Sequence, residues 1–166
     1  HRAAVKALAW CPTRRDVLAS GGGTACKRIR LWNSVSGAPL ASCHAGGQVT
    51  GLAWGPQSTP ELVASTGFDQ PGIRAYSWSM AVGGRLDCVA TLGRPAIPRT
   101  QIGERWLGLV ASPDRTRVAA TCMGETILIW KLFDTPSRRK GAFANLRRDV
   151  RRWDGVFGGG PGQVLR

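Results

Sequence analysis

Short apolar stretches recur along this chain at a long and regular spacing. Val5-Lys6-Ala7-Leu8-Ala9-Trp10-Cys11-Pro12 returns as Val49-Thr50-Gly51-Leu52-Ala53-Trp54-Gly55-Pro56, 44 positions later, and more loosely as Trp106-Leu107-Gly108-Leu109-Val110-Ala111-Ser112-Pro113. A second element follows each copy: Val17-Leu18-Ala19-Ser20, Leu62-Val63-Ala64-Ser65 and Val118-Ala119-Ala120-Thr121. A third is Ile29-Arg30-Leu31-Trp32, Ile73-Arg74-Ala75-Tyr76 and Ile127-Leu128-Ile129-Trp130. The last interval is longer than the first, which predicts an insert near Arg94–Glu104, where Pro95 and Pro98 stand. Each element is short, rich in β-branched or aromatic residues, and bounded by Gly, Pro, Asp or Thr, which is a strand pattern. Several strands per unit at a period of roughly 40–45 residues is the signature of a β-propeller blade.

The expected fold is therefore all-β, with blades at about 1–43, 44–92 and 105–133. Leu40–Cys43 and Leu86–Leu92 read as outer strands of the first two. Inner strands such as Ala7–Trp10 are apolar on both faces because neighbouring blades pack on them, and six of the seven Trp fall on repeat strands, which marks them as core. Three blades do not close a ring. A chain of three alone is expected to expose apolar faces and aggregate, with further blades preceding His1. After Phe133 the pattern stops. Residues 134–166 read as a basic, Gly-rich C-terminal tail with a mobile spacer at Gly158-Gly159-Gly160-Pro161-Gly162 and a short helix across Phe143–Val150.

Charge modifies this picture. The 166 residues carry 23 Lys and Arg against 10 Asp and Glu, a net +13, and Arg supplies 19 of the 23. Such a balance suits an acidic partner or nucleic acid. A codon-driven Arg bias explains it equally well. No apolar run approaches the ~18 residues of a membrane span. The five cysteines form no Cys-x-x-Cys pair. A reducing compartment with buried thiols fits them, and neither a metal nor a cofactor is expected. His1 and His44 are the only histidines. No nucleophile–base constellation surrounds them, and Gly21-Gly22-Gly23 lacks the Lys that follows in a phosphate loop, so no enzyme is expected.

The ordered series His1–Pro12, Leu18-Ala19-Ser20-Gly21-Gly22-Gly23-Thr24 and Ile29-Arg30-Leu31-Trp32-Asn33 resembles the fifth blade of the Fizzy family, the WD40 coactivators of the anaphase-promoting complex. Gly46-Gly47-Gln48-Val49, Ser112-Pro113-Asp114 and Gly124–Trp130 continue the likeness to about Phe133. Trp10-Cys11-Pro12 is closer to the cell-division-cycle branch than to the Fizzy-related one. The resemblance implies the last three of seven blades. It also implies an adaptor that brings degron-bearing substrates such as cyclins to a ubiquitin ligase, in nucleus and cytoplasm, with checkpoint proteins as further partners.

By position, Thr24, Gln48 and Arg105 match the family's contacts to the Lys-Glu-Asn (KEN) degron. Gln48 and Arg105 each stand just before a first strand, in register with Ala4. Arg offers a fork of donors to a carboxylate, and Gln and Thr offer donors and acceptors to an amide and main chain. Glu125 matches the acid facing the destruction-box Arg. Leu165-Arg166 resembles the family's terminal Ile-Arg, which docks in a tetratricopeptide-repeat groove of the ligase. Three departures stand out. Cys26 and Gly124 occupy places where a WD40 blade carries an Asp that supports a His–Ser–Trp network, Gly46 stands where His is frequent, and the Gly-His before the third blade is absent. A basic WD40 scaffold binding protein or RNA is the alternative reading.

Overall fold

The structure is a computed structural model that describes residues 1–56, 60–80, 84–92, 105–123, 126–133 and 162–165. The apolar elements form strands wherever turn residues flank them. β1(Val5–Trp10), β2(Val17–Gly22), β3(Arg28–Asn33) and β4(Pro39–His44) make a first antiparallel sheet in that order. β5(Gln48–Trp54), β6(Glu61–Gly67), β7(Gly72–Ser79) and β8(Arg85–Leu92) make a second. β9(Trp106–Ala111), β10(Arg117–Cys122) and β11(Thr126–Lys131) make a third, and β12(Gly162–Leu165) adds its fourth, outermost strand. These are three propeller blades, as the repeat period predicts.

Local chemistry sets the turns. The β3–β4 turn closes on Asn33, whose Oδ1 accepts from the backbone N–H of Val35 at 2.9 Å and of Ser36 at 3.0 Å. Gly37 supplies the left-handed residue at φ +71 that such a turn requires. Before β10, the Asp114 carboxylate accepts from the Thr116 hydroxyl at 2.7 Å and from the Ser112 hydroxyl. These bonds hold its pKa down at about 2.

Two cores lie between the sheets. Val17, Ile29, Leu31, Val49 and Trp54 are buried between the first and second blades. Val63, Ile73, Val118 and Leu128 are buried between the second and third. The indole N–H of Trp54 donates to the Ala9 carbonyl at 3.0 Å and ties the first pair together. Close approach depends on small residues. A Cβ on Gly21 would lie 2.4 Å from Val49 Cγ1, and one on Gly51 would lie 2.6 Å from the Leu109 backbone nitrogen.

Three differences from the sequence reading emerge. First, the second elements shift by one residue. Trp10 pairs Leu18, Trp54 pairs Leu62 and Ala111 pairs Val118, so Ser20 is equivalent to Ala64 and Ala120, not to Ser65 and Thr121. Second, Trp10 is 58% exposed although its repeat equivalent Trp54 is 1% exposed, because no blade covers that face of β1. Third, the C-terminal stretch is not spacer throughout: Gly162–Leu165 pairs with β11, Leu165 opposite Ile127. The proposed insert, residues 134–161 with the Phe143–Val150 helix, Glu125 and Arg166 lie outside the described residues. Among the described residues no helix is long and apolar enough to cross a membrane.

Candidate functional site

Antiparallel pairing brings the start of each first strand to the same rim as the end of each second strand. Val5 faces Gly22, Gln48 faces Gly67, and Trp106 faces Cys122. Thr24, Gln48 and Arg105 therefore share one rim, whose loops come from three blades.

On that rim Gln48 and Arg105 meet. Arg105 Nη2 donates to Gln48 Oε1 at 3.3 Å across the boundary between the second and third blades. Gln48 is 7% exposed and opens β5. Arg105 precedes β9, its carbonyl accepting from the Met123 N–H at 3.0 Å, so its backbone is fixed before its side chain begins. The stem crosses the end of β6, where a Cβ on Gly67 would lie 2.9 Å from Arg105 Cγ. The guanidinium then lies over the ring of Phe68, 4.3 Å from its centroid. Among the described residues the Arg105 guanidinium pairs with no carboxylate, and its buried Nε has no hydrogen-bond partner.

Thr24 is exposed in the β2–β3 turn, which is closed by the N–H groups of Cys26 and Lys27 donating to the Gly23 carbonyl at 2.9 and 2.8 Å. It stands on the same rim as Gln48 and Arg105 without touching either. Lys27 bridges the blades instead, through a 2.7 Å ion pair to Asp69. Among the described residues, three of the four non-glycine residues with positive φ, Lys27 (51), Phe68 (54) and Asp69 (42), fall in the β2–β3 and β6–β7 turns. Left-handed backbone at such residues costs roughly 1–3 kcal/mol each and clusters at binding sites. Phe68, Lys27 and Asp69 escaped the sequence reading, whose only available signal was an aromatic set in a Gly67–Gly72 turn.

Behind this rim the first blade carries the polar network anticipated around Cys26. His1 Nε2 lies 2.7 Å from Ser20 Oγ, which also accepts from Trp32 Nε1 at 2.7 Å. His1 Nδ1 faces Cys26 Sγ at 3.1 Å, where a WD40 blade carries Asp. The tautomer satisfying all three has Ser20 donating to Nε2 and Nδ1–H directed at the sulfur. A Cβ on Gly22 would collide with both His1 Nδ1 and Cys26 Sγ, at 2.7 and 2.8 Å, so the glycine run makes room for the network. The second and third blades have Ala64 and Ala120 at the Ser20 position and lack the hydroxyl. Beside Cys26, Arg2, Arg28 and Arg30 line a basic cavity of about 470 Å³. Among the described residues no group of His, Cys, Asp and Glu is placed to hold a metal ion.

Of the remaining sequence candidates, Glu125 and Arg166 are outside the described residues, and Leu165 is placed only through its backbone in β12.

No protein-family profile matches the chain. Curated relatives do. The chain is 35% identical over 139 residues, 84% of its length, to the APC/C activator protein CDH1 of Saccharomyces cerevisiae. It is 34% identical over 134 residues, 81% of its length, to the WD repeat-containing protein slp1 of Schizosaccharomyces pombe. It is 36% identical over 142 residues, 86% of its length, to the cell division cycle 20.1 cofactor of the APC complex of Arabidopsis thaliana. The chain spans only 22%, 25% and 28% of those relatives' own lengths. Among solved structures it matches a chain of the mitotic checkpoint complex with a TM-score of 0.70 and 34% identity, over 81% of this chain and 38% of that one. With its blades and these relatives in agreement, the chain belongs to the Fizzy/cell-division-cycle family of WD40 coactivators.

Proposed function

We propose that this chain is a degron-reading segment of a coactivator of the anaphase-promoting complex, and that Gln48 and Arg105 receive the Glu and Asn of a Lys-Glu-Asn motif while Thr24 meets the peptide farther along the rim. The observation that carries the reading is the Arg105–Gln48 contact across two blades. It holds a cation that no carboxylate among the described residues pairs with, beside an amide. A peptide carboxylate is the ligand such a fork favours, and the amide of Gln48 can serve Asn or main chain. The reading extends to three features by family likeness: Glu125 facing a destruction-box Arg, Leu165-Arg166 docking in a tetratricopeptide-repeat groove of the ligase, and checkpoint proteins as further partners. The chemistry belongs to the ligase, and this chain serves as its adaptor. The five free cysteines suit the nucleus and cytoplasm.

The test is titration of a labelled Lys-Glu-Asn peptide into the complete protein and its Arg105→Ala variant. Loss of at least about tenfold in affinity is expected, the scale of a hydrogen bond to a charged group. Equal affinity would remove Arg105 from the site. Nucleic acid binding as tight as the peptide's at physiological salt, weakening steeply as salt rises, would favour the RNA scaffold instead.

A further inference from the structure

We infer that Phe68 is a positioning residue for Arg105 and an apolar wall of the same site, so that the rim selects a carboxylate carried next to an aliphatic stem. The inference rests on the degron reading above. Phe68 belongs to neither hydrophobic core and is 45% exposed, so core packing does not account for it. Its backbone is left-handed at φ 54, followed by Asp69 at φ 42, in the turn between β6 and β7. Such conformations persist only where surrounding contacts impose them. Two contacts do so. The Asp69–Lys27 ion pair at 2.7 Å anchors the turn to the first blade, and Arg105 of the third blade covers the ring.

The guanidinium Cζ lies 4.3 Å from the Phe68 ring centroid, so the ring holds the cation on one side without consuming any of its N–H donors. One donor goes to Gln48 Oε1. The Nε–H, buried and without an acceptor, remains as an unmet donor within the site. A carboxylate approaching in the guanidinium plane would meet a cation already held in orientation, and would lose less side-chain freedom in binding. Phe68 stays 45% exposed despite the Arg105 contact, and that open apolar surface suits the methylene stem of a neighbouring ligand residue such as Lys.

The experiment compares Phe68→Ala, Phe68→Leu and Phe68→Tyr in the complete protein, each titrated with a Lys-Glu-Asn peptide and with its Lys-Gln-Asn analogue. The wild type should prefer the Glu peptide. Phe68→Ala should weaken it by about fivefold or more, the scale of a partly desolvated cation–π contact, and should narrow the Glu-over-Gln preference. Phe68→Tyr should restore both affinity and preference. Phe68→Leu, which keeps bulk without a π face, should restore only part of the affinity and none of the preference. An equal loss for both peptides in Phe68→Ala and Phe68→Leu would mean that Phe68 merely shapes the turn, and wild-type behaviour of both variants would exclude it altogether. Should Phe68→Ala fail to fold, the Leu and Tyr variants decide the question alone. A wild type that binds neither peptide would instead sink the degron reading itself.

Discussion

Ser20 is the hinge of the first blade's polar network, since one hydroxyl serves His1 and the Trp32 indole together. Replacing it by Ala strands two partly buried partners, and a loss of about 1–2 kcal/mol is expected in urea unfolding. Cys26 is the converse case. The thiol is a weak acceptor for His1 Nδ1, and three arginines line the cavity beside it. Cys26→Asp should raise the urea midpoint, since a carboxylate there takes a stronger hydrogen bond and meets positive charge. A lowered midpoint would show that sulfur packing matters more than charge. At this scale the sequence told where Gln48 and Arg105 stand, because the start of a first strand fixes the rim, although Gln48 proves to be the first residue of β5 rather than the one before it. It did not reveal Phe68, whose place depends on left-handed backbone and on a partner from another blade.

At the scale of the strands, what governs stability is how closely the sheets approach. Gly21 and Gly51 lie where a side chain would meet Val49 and Leu109 of the next blade. Gly51 is the stiffer site, because the neighbour includes backbone. Gly51→Ala should cost about 1–3 kcal/mol, as overpacking does, and more than the same change at Gly108, where a Cβ would meet only Thr121 Oγ1 at an ordinary 3.5 Å. Similar losses at the two sites in chemical denaturation would argue against tight apposition of the blades. The strands themselves were legible, since apolar runs punctuated by Gly, Pro and Asp recur with the blade period. Their register was not. Runs such as Leu62-Val63-Ala64-Ser65 are buried throughout, so no polar alternation distinguishes one pairing from its neighbour. Gly162–Leu165 was illegible for a related reason. A Gly-containing four-residue segment carries little strand signal of its own, and its pairing is supplied by the edge of β11.

For the whole molecule, titration bounds the pH range of stability. Hydrogen bonds from Ser112 and Thr116 hold Asp114 at about 2, below its ordinary 3.8. Its contribution is present above 3.8 and is lost as pH falls toward 2. Burial pushes the Cys43 thiol from 9.0 up to about 12, with nearby Cys88 adding to the rise, and burial pushes Tyr76 up as well. Those two groups favour folding below their ordinary values; the Cys43 contribution declines as pH climbs from 9.0 toward 12, and the Tyr76 contribution only above 10.0. A denaturation midpoint that is level between these limits and falls on both sides is expected. Alkylation at pH 8 should label exposed Cys88 well before Cys43. Prompt labelling of Cys43 would contradict its burial.

The fourth strand of the last blade brings a kinetic consequence. In the first two blades each strand pairs with the next in sequence, so most contacts close over short loops. β12 instead pairs Gly162 with Trp130 and Leu165 with Ile127, across a long intervening segment. Closing that loop is entropically slower, and only four residues of ladder reward it. The last blade should therefore complete itself late in folding and fray first, its outer amides exchanging with solvent while β9 and β10 remain protected. If Leu165-Arg166 is the ligase anchor, the anchor and the seam are one piece of chain, and by linkage a partner that captures the end only when β12 is released would loosen that seam.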